Sequence, residues 1–567
     1  MKYTGIGILS LCSVLSACIT TGDPNTLASL RNVSIEIKEE KIDDSLDKAL
    51  QSYQKFLEET PESALTPEAI RRLADLKIEK EYSAFSGNKE ASAKPKQDTR
   101  KSDSSQPVAE KPVKTHSKSN VIAKVGESVT AFEKRATQKA EFKSTKKAEL
   151  PAATADDLQT AGAMEAIQLY KNLLIKYPLY ERNDQVLYQL SRAYEETGQV
   201  EEAVKVLNQL VKEYPNSRHT DEAQFRRAEY FFTRKRYLDS EEAYQAVINI
   251  GIGSAFYELA LYKQGWAFFK QDLYEEALDD FIALLDYKLS IGYDFEQAED
   301  KIEKKRIDDT YRVISLGFSY LGGAKSVVEY FDKKGQRIYE ASIYSHLAEY
   351  YLEKRRYADS ADTYNTYVER NPMNKVSPFF HIRVIEIYLK GGFPKLVIES
   401  KKTFSINYGL RGAYWTFFDI NTFPDVLAYL KSNLVDLANH YHAMYQDRRL
   451  RKYKADNFKE ATHWYREYLA SFPEEPQAAS MNFQLAELLL QNKDFRGAAL
   501  EYERTAYDYL SHEKSSDAGY AAVFAYREFL KIASQSERQL VKREVIRSSL
   551  RFADSFPKHY KAVVVLV

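Results

Sequence analysis

The sequence predicts an all-α fold in which helical hairpins stack side by side into a solenoid. Small residues recur every 37 positions at Ala166, Ala203, Ser240 and Ala277, and a large apolar or aromatic residue follows each one four places later. A fixed period of about 20–50 residues is typical of stacked-repeat proteins. The chain is also rich in tyrosine, with 42 residues, and poor in Gly and Pro, which favours helices with aromatic packing.

Each repeating unit has the pattern of two antiparallel helices. In the first helix a small residue precedes a large one by three places, as in Ala228/Phe231 and Ala348/Tyr351. The small residue of the second helix follows twelve places later, so we expect the two helices to cross closely where both residues are small. Proline often ends the second helix, because it cannot continue one. These prolines are Pro61, Pro178, Pro215, Pro372 and Pro473.

This pattern of small residue, aromatic residue and proline resembles the tetratricopeptide repeat (TPR), whose unit of about 34 residues is here lengthened by three. The best matches run through residues 161–285, 341–372 and 442–510. The resemblance implies a right-handed superhelix whose first helices line a concave face. It indicates the fold, whereas function depends on the sites that the fold carries.

The chain divides into seven expected segments. They are a lipoprotein signal peptide at 1–17, an N-terminal helical hairpin region at 18–85, a disordered basic insertion at 86–160, a TPR array at 161–285, a degenerate repeat plus a TPR at 286–372, a degenerate repeat with an irregular insertion at 373–425, and C-terminal TPR units at 426–567. The last segment ends in an apolar stretch, 563–567, where a repeat array usually has a polar cap. We therefore expect either a truncated piece of a longer protein or a partner at that end.

The insertion is dominated by Lys, Ser, Ala and Thr, and it has no aromatic residue between Phe85 and Phe132. Such a segment buries too little apolar area to offset its chain entropy, so we expect disorder. Residues 69–76 have the pattern of a first helix and 162–177 that of its second helix. The insertion should therefore lie inside one hairpin.

The N-terminus has the features of a secretory signal, with an apolar stretch too short to span a membrane. Leu15-Ser16-Ala17-Cys18 looks like a bacterial lipobox, which implies cleavage before Cys18 and acylation of Cys18, including a palmitate-type chain. Ile19 stands where enterobacterial lipoproteins of the inner membrane carry Asp, which implies the periplasmic face of the outer membrane of a Gram-negative bacterium. The alternative is an ordinary signal peptide with an incidental cysteine.

The sequence contains no pattern typical of catalysis. It lacks a phosphate-binding loop, a His-Glu-x-x-His motif and a Gly-x-Ser-x-Gly motif, and its nine histidines are scattered. We therefore expect no enzymatic activity, no metal and no cofactor; an enzyme would need a further domain after Val567. The 81 basic and 82 acidic residues balance, so net charge gives no support for a nucleic-acid partner.

Two surfaces are candidate binding sites. The first is an aromatic stripe with flanking cations on the expected concave face, suited to a peptide segment or to sugars. It consists of Tyr188, Arg192, Phe225, Phe232, Tyr262, Trp266, Phe269 and Lys270. The alternative is that these rings pack between neighbouring units. The second surface is a basic patch, or else a solvated loop, made of Arg448, Arg449, Arg451, Lys452 and Lys454.

These observations favour a lipid-anchored, periplasm-facing scaffold that binds other envelope proteins. It is similar in kind to the TPR lipoprotein of the β-barrel assembly machinery and to those of exopolysaccharide export. A module that binds glycan or peptidoglycan is the alternative from a different class. The sequence leaves open the partner, the pathway, the face used and the oligomeric state.

Overall fold

The computed structural model describes residues 45–87, 128–138, 161–295 and 300–567. Over these ranges the chain forms 22 α-helices, a few short 3₁₀ turns and no strand. The chain divides into two compact units. The first unit contains α1 (Ser45–Glu59), α2 (Thr66–Gly87), α4 (Ala161–Lys176) and α5 (Asn183–Glu196). The predicted all-α repeat fold is confirmed.

The second unit contains the remaining helices. They are α3 (Val129–Ala136), α6 (Val200–Glu213), α7 (Thr220–Thr233), α8 (Tyr237–Ile250), α9 (Tyr257–Phe269), α10 (Tyr274–Ser290), α11 (Lys301–Leu321), α12 (Ala324–Lys334), α13 (Glu340–Glu353), α14 (Tyr357–Arg370), α15 (Ser377–Gly391), α16 (Pro394–Asn407), α17 (Pro424–Gln446), α18 (Lys454–Ser471), α19 (Ala478–Gln491), α20 (Phe495–Tyr507), α21 (Ser515–Ile532) and α22 (Arg538–Ser555).

In the first unit, α2 packs against α4 across the insertion that separates them in sequence. The Tyr170 hydroxyl on α4 donates a hydrogen bond to Asp75 on α2 over 2.6 Å. Arg71, whose side chain is buried, donates to Asp75 and Glu68 at 2.6 Å each. The hydrogen bond from Arg71 lowers the pKa of Glu68 to about 2. The two helices are therefore paired as expected for one hairpin that contains the insertion.

The hairpins of the second unit cross where the small residues meet. The Ser240 hydroxyl donates to the Ala228 carbonyl at 3.0 Å, and the Ser360 hydroxyl donates to the Ala348 carbonyl at 2.7 Å. At Gly265 an added Cβ would lie 2.8 Å from the Phe281 ring. The spacing of twelve residues therefore predicts the points of close helix approach correctly.

Five hairpin turns contain a residue with positive φ at one equivalent position. It lies seven places after the small residue of the first helix, and the non-glycine examples are Lys235 (φ 60°), Asp272 (φ 61°), Arg355 (φ 59°) and Lys493 (φ 64°). Gly198 has the same offset and a φ of 73°. Glycine adopts this conformation without steric cost, whereas other L-residues do so at a penalty. The turn geometry is thus kept even where the sequence does not provide glycine.

Two apolar clusters run along the second unit and share α15. One extends from Phe225 on α7 to Ile387 on α15, and the other from Ile382 on α15 to Tyr526 on α21. The irregular stretch 403–425 forms 3₁₀ turns at Ala413–Thr416 and Ile420–Thr422 between α16 and α17. Neighbouring hairpins in this unit therefore bury one another's apolar faces, as a stacked array requires.

The C-terminal segment folds back on its own unit. A 3₁₀ turn at Val564–Leu566 places Val565 against Phe552 and Val523. The Arg527 guanidinium donates to the Val565 carbonyl at 2.9 Å. One valine of the apolar 563–567 stretch therefore contacts this chain, while its neighbours Val564 and Leu566 are about half exposed.

Residues 128–138 of the insertion are described, and they form a helix. Ser128 caps the N-terminus of α3 by accepting a hydrogen bond from the Ala131 N–H at 3.2 Å. Phe132 on α3 is completely buried. Within the segment expected to be disordered, α3 is thus a described helix whose aromatic side chain lies in an apolar site. The rest of the predicted insertion, apart from the end of α2, lies outside the described residues.

Candidate protein-binding surfaces

The aromatic residues predicted on α7 lie inside the array. Phe225 is fully buried, with ring centroids 5.5 Å from Tyr244 and 5.3 Å from Phe256. Phe232 packs edge-on against Tyr237 at 5.5 Å. These rings fill the space between helices, as the alternative interpretation of the stripe proposes.

The rings on α9 are equally enclosed. Trp266 is 0% exposed and meets Tyr262 at 6.4 Å, Phe269 at 5.3 Å and Phe281 at 6.1 Å between ring centroids. Lys270 lies at the end of this cluster with its ammonium 5.7 Å from the Trp266 ring. The structure therefore brings four of the predicted residues together, but as a packed cluster rather than an open stripe.

In the first unit, Tyr188 on α5 is 7% exposed and Arg192 is partly buried one turn later. They belong to a different compact unit from the residues on α7 and α9. Partner binding through the whole predicted set stays a prediction.

The site around Trp266 is occupied by α3. The Phe132 ring lies 5.7 Å from the Trp266 ring, and the Arg312 guanidinium on α11 lies 4.6 Å from the Phe132 centroid. An aromatic ring held between an indole and a guanidinium gains both apolar burial and cation–π attraction. The short helix is therefore anchored mainly by one side chain.

Charged contacts fix the direction in which α3 lies. The Arg135 guanidinium donates to both carboxylate oxygens of Asp309 on α11, at 2.6 and 2.8 Å. The Lys270 ammonium on α9 donates to Glu133 at 2.6 Å. The Lys263 ammonium also donates to the backbone carbonyl of Gln138. A reversed helix would place like charges together, so these pairs specify orientation.

A buried hydrogen bond that the sequence analysis missed recurs in the array. The hydroxyl of a tyrosine on a second helix donates to a glutamate fifteen residues earlier on the first helix. The pairs are Glu229/Tyr244, Glu349/Tyr364 and Glu487/Tyr502. Each glutamate follows the small residue of its helix, so the signal was present in the sequence as a correlated spacing.

The repeat that α3 contacts lacks this Glu–Tyr pair. The position of the glutamate is occupied by Trp266, and the tyrosine fifteen residues later is replaced by Phe281. Neither a carboxylate nor a hydroxyl is left at this point, and the two rings lie 6.1 Å apart. The exchange converts a polar position into an apolar one, and Phe132 packs there.

A groove of about 670 Å³ lies along α17 and α19, and its lining mixes polar side chains with the apolar Ala443, Pro476, Ala479 and Phe483. The Tyr465 hydroxyl donates to Gln484 at 2.9 Å and lies 2.9 Å from the His442 Nδ1. Burial lowers the pKa of His442. The residues that line the groove include Asn439, His442, Gln446, Ser480, Gln484, Glu487 and Gln491. Side-chain amides both donate and accept, as the backbone of a bound peptide would require.

The predicted basic patch lies on a 3₁₀ turn, Arg448–Tyr453, and at the start of α18. Its five cationic side chains are exposed. Arg449 pairs with Asp447 at 2.7 Å, and the Lys454 ammonium lies 4.6 Å from the Tyr445 ring centroid. The patch is therefore accessible and partly neutralised, and its binding role stays a prediction.

The described part of the chain contains neither a candidate metal site nor a candidate membrane span. No group of three or more His, Cys, Asp or Glu side chains there could hold a metal ion. None of the described helices combines the length and apolar character needed to cross a bilayer. Cys18 lies outside the described residues.

Comparisons with known proteins identify the repeat. One tetratricopeptide repeat model matches residues 185–217 and 259–287, and a second matches 450–517. No curated protein matches the chain. Among solved structures, the C-terminal part of a TPR repeat-containing protein from Cytophaga hutchinsonii is 14% identical, covers 52% of this chain and 98% of its own, and has a TM-score of 0.22.

Two further solved structures are similar at the same level. A tetratricopeptide repeat protein from Parabacteroides merdae is 12% identical over 64% of this chain and 94% of its own, with a TM-score of 0.22. The TPR domain of P58(IPK) is 12% identical over 68% of this chain and 96% of its own, with a TM-score of 0.20. The matched residues and the stacked hairpins together show that this chain carries tetratricopeptide repeats in a TPR-like helical fold.

Proposed function

We propose that this protein is a lipid-anchored, periplasm-facing scaffold that binds other proteins of the bacterial cell envelope. Its tetratricopeptide repeats indicate a protein–protein interaction scaffold. TPR proteins are typically non-enzymatic scaffolds. The envelope location is our inference from the lipobox pattern that ends at Cys18.

The observation that carries the protein-binding part of the proposal is the groove along α17 and α19. Its volume of about 670 Å³ lies within the range of about 300–1,000 Å³ that is usual for ligand pockets. Amide, hydroxyl and imidazole groups project into it from two successive first helices. Such a lining can satisfy the backbone hydrogen bonds of a peptide without requiring one charge or one shape. It supports a protein ligand better than a small apolar molecule.

Glycan binding was the alternative, and it depended on open aromatic faces on α7 and α9. Those rings are less than a tenth exposed, so they provide no stacking platform in this arrangement. A pulldown with insoluble peptidoglycan tests the alternative directly. Retention that survives high salt would support it over the scaffold.

The scaffold is tested by photo-crosslinking in intact cells. A photoreactive amino acid at Ser480, which is exposed in the α19 groove, should crosslink to a discrete partner protein. The matched control is Leu500, which is 51% exposed on the second helix of the same hairpin. Equal capture from the two positions, or none from Ser480, would contradict the assignment of this groove.

The anchor is tested separately by labelling cells with an alkyne-bearing palmitate analogue. The wild-type protein should take up label and fractionate with outer membranes, whereas Cys18→Ser should do neither. A Cys18→Ser protein that remains in the membrane fraction would mean that something other than lipid retains it.

A further inference from the structure

The helix α3 is a separate, short piece of chain that sits in the array. It has eight residues, and positions 88–127 and 139–160 connect it to α2 and α4 in sequence. Isolated helices below about 12–15 residues are marginal in water. Its helical form therefore depends on the surface formed by α9 and α11.

That surface has the features of a built binding site. Its apolar centre is formed by Trp266 and Phe281. They occupy the two positions that carry Glu and Tyr in the three hydrogen-bonded pairs. On either side of the centre, Lys270 and Asp309 provide one cation and one anion. The site thus recognises three features of a helix: an aromatic residue, an acidic residue directly after it, and an arginine two places after the acidic residue.

The contacts of α3 include one apolar anchor, two ion pairs and the hydrogen bond from Lys263 to the Gln138 carbonyl. Phe132 is its principal anchor, and the ion pairs to Asp309 and Lys270 are both partly exposed, with side chains 15–32% accessible. Exposed ion pairs add little net stability in water, although they select orientation. Binding in cis is favoured because α3 and the groove belong to one chain, which makes their association intramolecular and raises the local concentration of α3.

We propose that this groove, defined by Trp266, Lys270, Asp309 and Arg312, binds a short helical segment of a partner protein, and that α3 occupies it in cis as a competitor. The partner segment carries an aromatic residue, Glu or Asp next to it, and Arg three places after the aromatic. This inference rests on the proposed role as a protein-binding scaffold and adds the recognised motif. Partner access then depends on the release of α3.

The test uses the whole chain and a fluorescent peptide with the sequence of residues 128–138. The double variant Phe132→Ala/Arg135→Ala removes the cis anchor and leaves every residue of the array unchanged. The peptide should bind this variant and bind the wild type about tenfold more weakly, if its Kd is about a tenth of the local concentration of α3. A scrambled peptide should bind neither protein.

A charge exchange separates recognition from a merely structural contact. Adding Lys270→Glu to the double variant should weaken the peptide at least fivefold, and a peptide with Glu133→Lys should recover that loss. Circular dichroism must show that the double variant keeps its helix content and melting. Loss of the array in that variant would assign α3 a structural role and overturn the proposal.

Two other results would also overturn it. Equal peptide affinity for the wild type and the double variant would show that α3 does not compete. Dimerisation of the wild type that the double variant abolishes would assign the groove to α3 of a second copy. Crosslinking from Ser480 is independent of these measurements. If only the peptide-binding measurements fail, the scaffold proposal stands. If only Ser480 captures no partner, the assignment of the α17–α19 groove fails and the peptide result stands.

Discussion

The buried Glu–Tyr pairs should contribute measurably to local stability, and Tyr244→Phe tests this. The Tyr244 hydroxyl donates to Glu229, a residue that is 1% exposed and whose carboxylate lies 3.5 Å from the Lys263 ammonium. Burial raises the pKa of Tyr244 well above its ordinary value and lowers the pKa of Lys263. The hydroxyl therefore stays protonated and remains a donor to the carboxylate at neutral pH.

The size of the effect follows from what the substitution removes. Phenylalanine keeps the ring and its packing, so no cavity forms. It deletes one hydrogen bond to a buried charged group, which costs about 2 kcal/mol. Because each 1.4 kcal/mol is a factor of ten, the equilibrium for local opening of α7–α9 should rise about 30-fold.

Hydrogen–deuterium exchange of the whole chain, read by mass spectrometry, measures that opening segment by segment. A global melting temperature is less suitable, because repeat arrays need not unfold in one step. Two further Tyr→Phe substitutions serve as comparisons for Tyr244→Phe. Tyr364→Phe should have a smaller effect, because Arg383 also donates to both oxygens of Glu349, at 2.7 and 2.9 Å. Tyr453→Phe, at an exposed ring, should leave exchange unchanged.

The reasoning would be refuted if Tyr244→Phe exchanged at the wild-type rate in α7–α9. It would also fail if the Tyr364→Phe protein opened more readily than the Tyr244→Phe protein. In either case the glutamate would draw its stability from its other neighbours, and the recurring pair would be a packing feature.

Three further predictions concern the backbone and pH. Lys235→Gly should stabilise the α7–α8 hairpin by roughly 1 kcal/mol in denaturant titrations, because φ is 60° there; an unchanged or lower midpoint would contradict this. Burial raises the pKa of Asp280 from 3.8 to about 8, so the folded carboxyl keeps a proton that the unfolded one loses, and stability falls as pH rises through that window. The stabilising effect of Asp280→Asn should therefore grow from pH 4 to pH 8, and a pH-independent gain would exclude this cause. Burial lowers the pKa of His381 from 6.5 to about 4, so the stability that the neutral imidazole contributes is lost as pH falls from 6.5 to 4. Hydrogen–deuterium exchange in α15 and α16 should therefore rise over this range, and it should rise less in the His381→Gln protein.

The repeat architecture was predictable because its signals are local and periodic. The twelve-residue spacing of Ala228 and Ser240 follows directly from the crossing of two helices, and the structure shows that contact. Position in the unit also identified the rings of Phe225 and Tyr262 as equivalent. Period alone does not say whether such a ring faces solvent or a neighbouring helix. Both residues are buried, because Phe225 packs on Tyr244 and Phe256 and Tyr262 packs on Trp266 and Phe281.

The α3 site was not predictable from composition. An average over the insertion hides its two aromatic residues, Phe132 and Phe142, and the site itself joins Phe132 to residues more than a hundred positions later. Two signals were nevertheless present. Phe132 has Glu133 directly after it and Arg135 three places on, and Trp266 breaks a spacing that three other repeats keep.

The replacement of the Glu–Tyr pair by Trp266 and Phe281 indicates how a structural repeat differs from a binding repeat in this array. Where a glutamate and a tyrosine face each other, the hydroxyl donates and the carboxylate accepts. A buried pair of this kind leaves no polar atom that requires a further hydrogen-bond partner. Exchange of one member alone would leave a buried donor or acceptor without a partner, so both must change together. Trp266 and Phe281 are such a joint change, and the position they create gains from apolar contact instead. In this chain the apolar contact is Phe132. In this chain, a Glu–Tyr pair at these two positions therefore marks a closed repeat, and the pair of Trp266 and Phe281 marks the repeat that accepts an aromatic side chain.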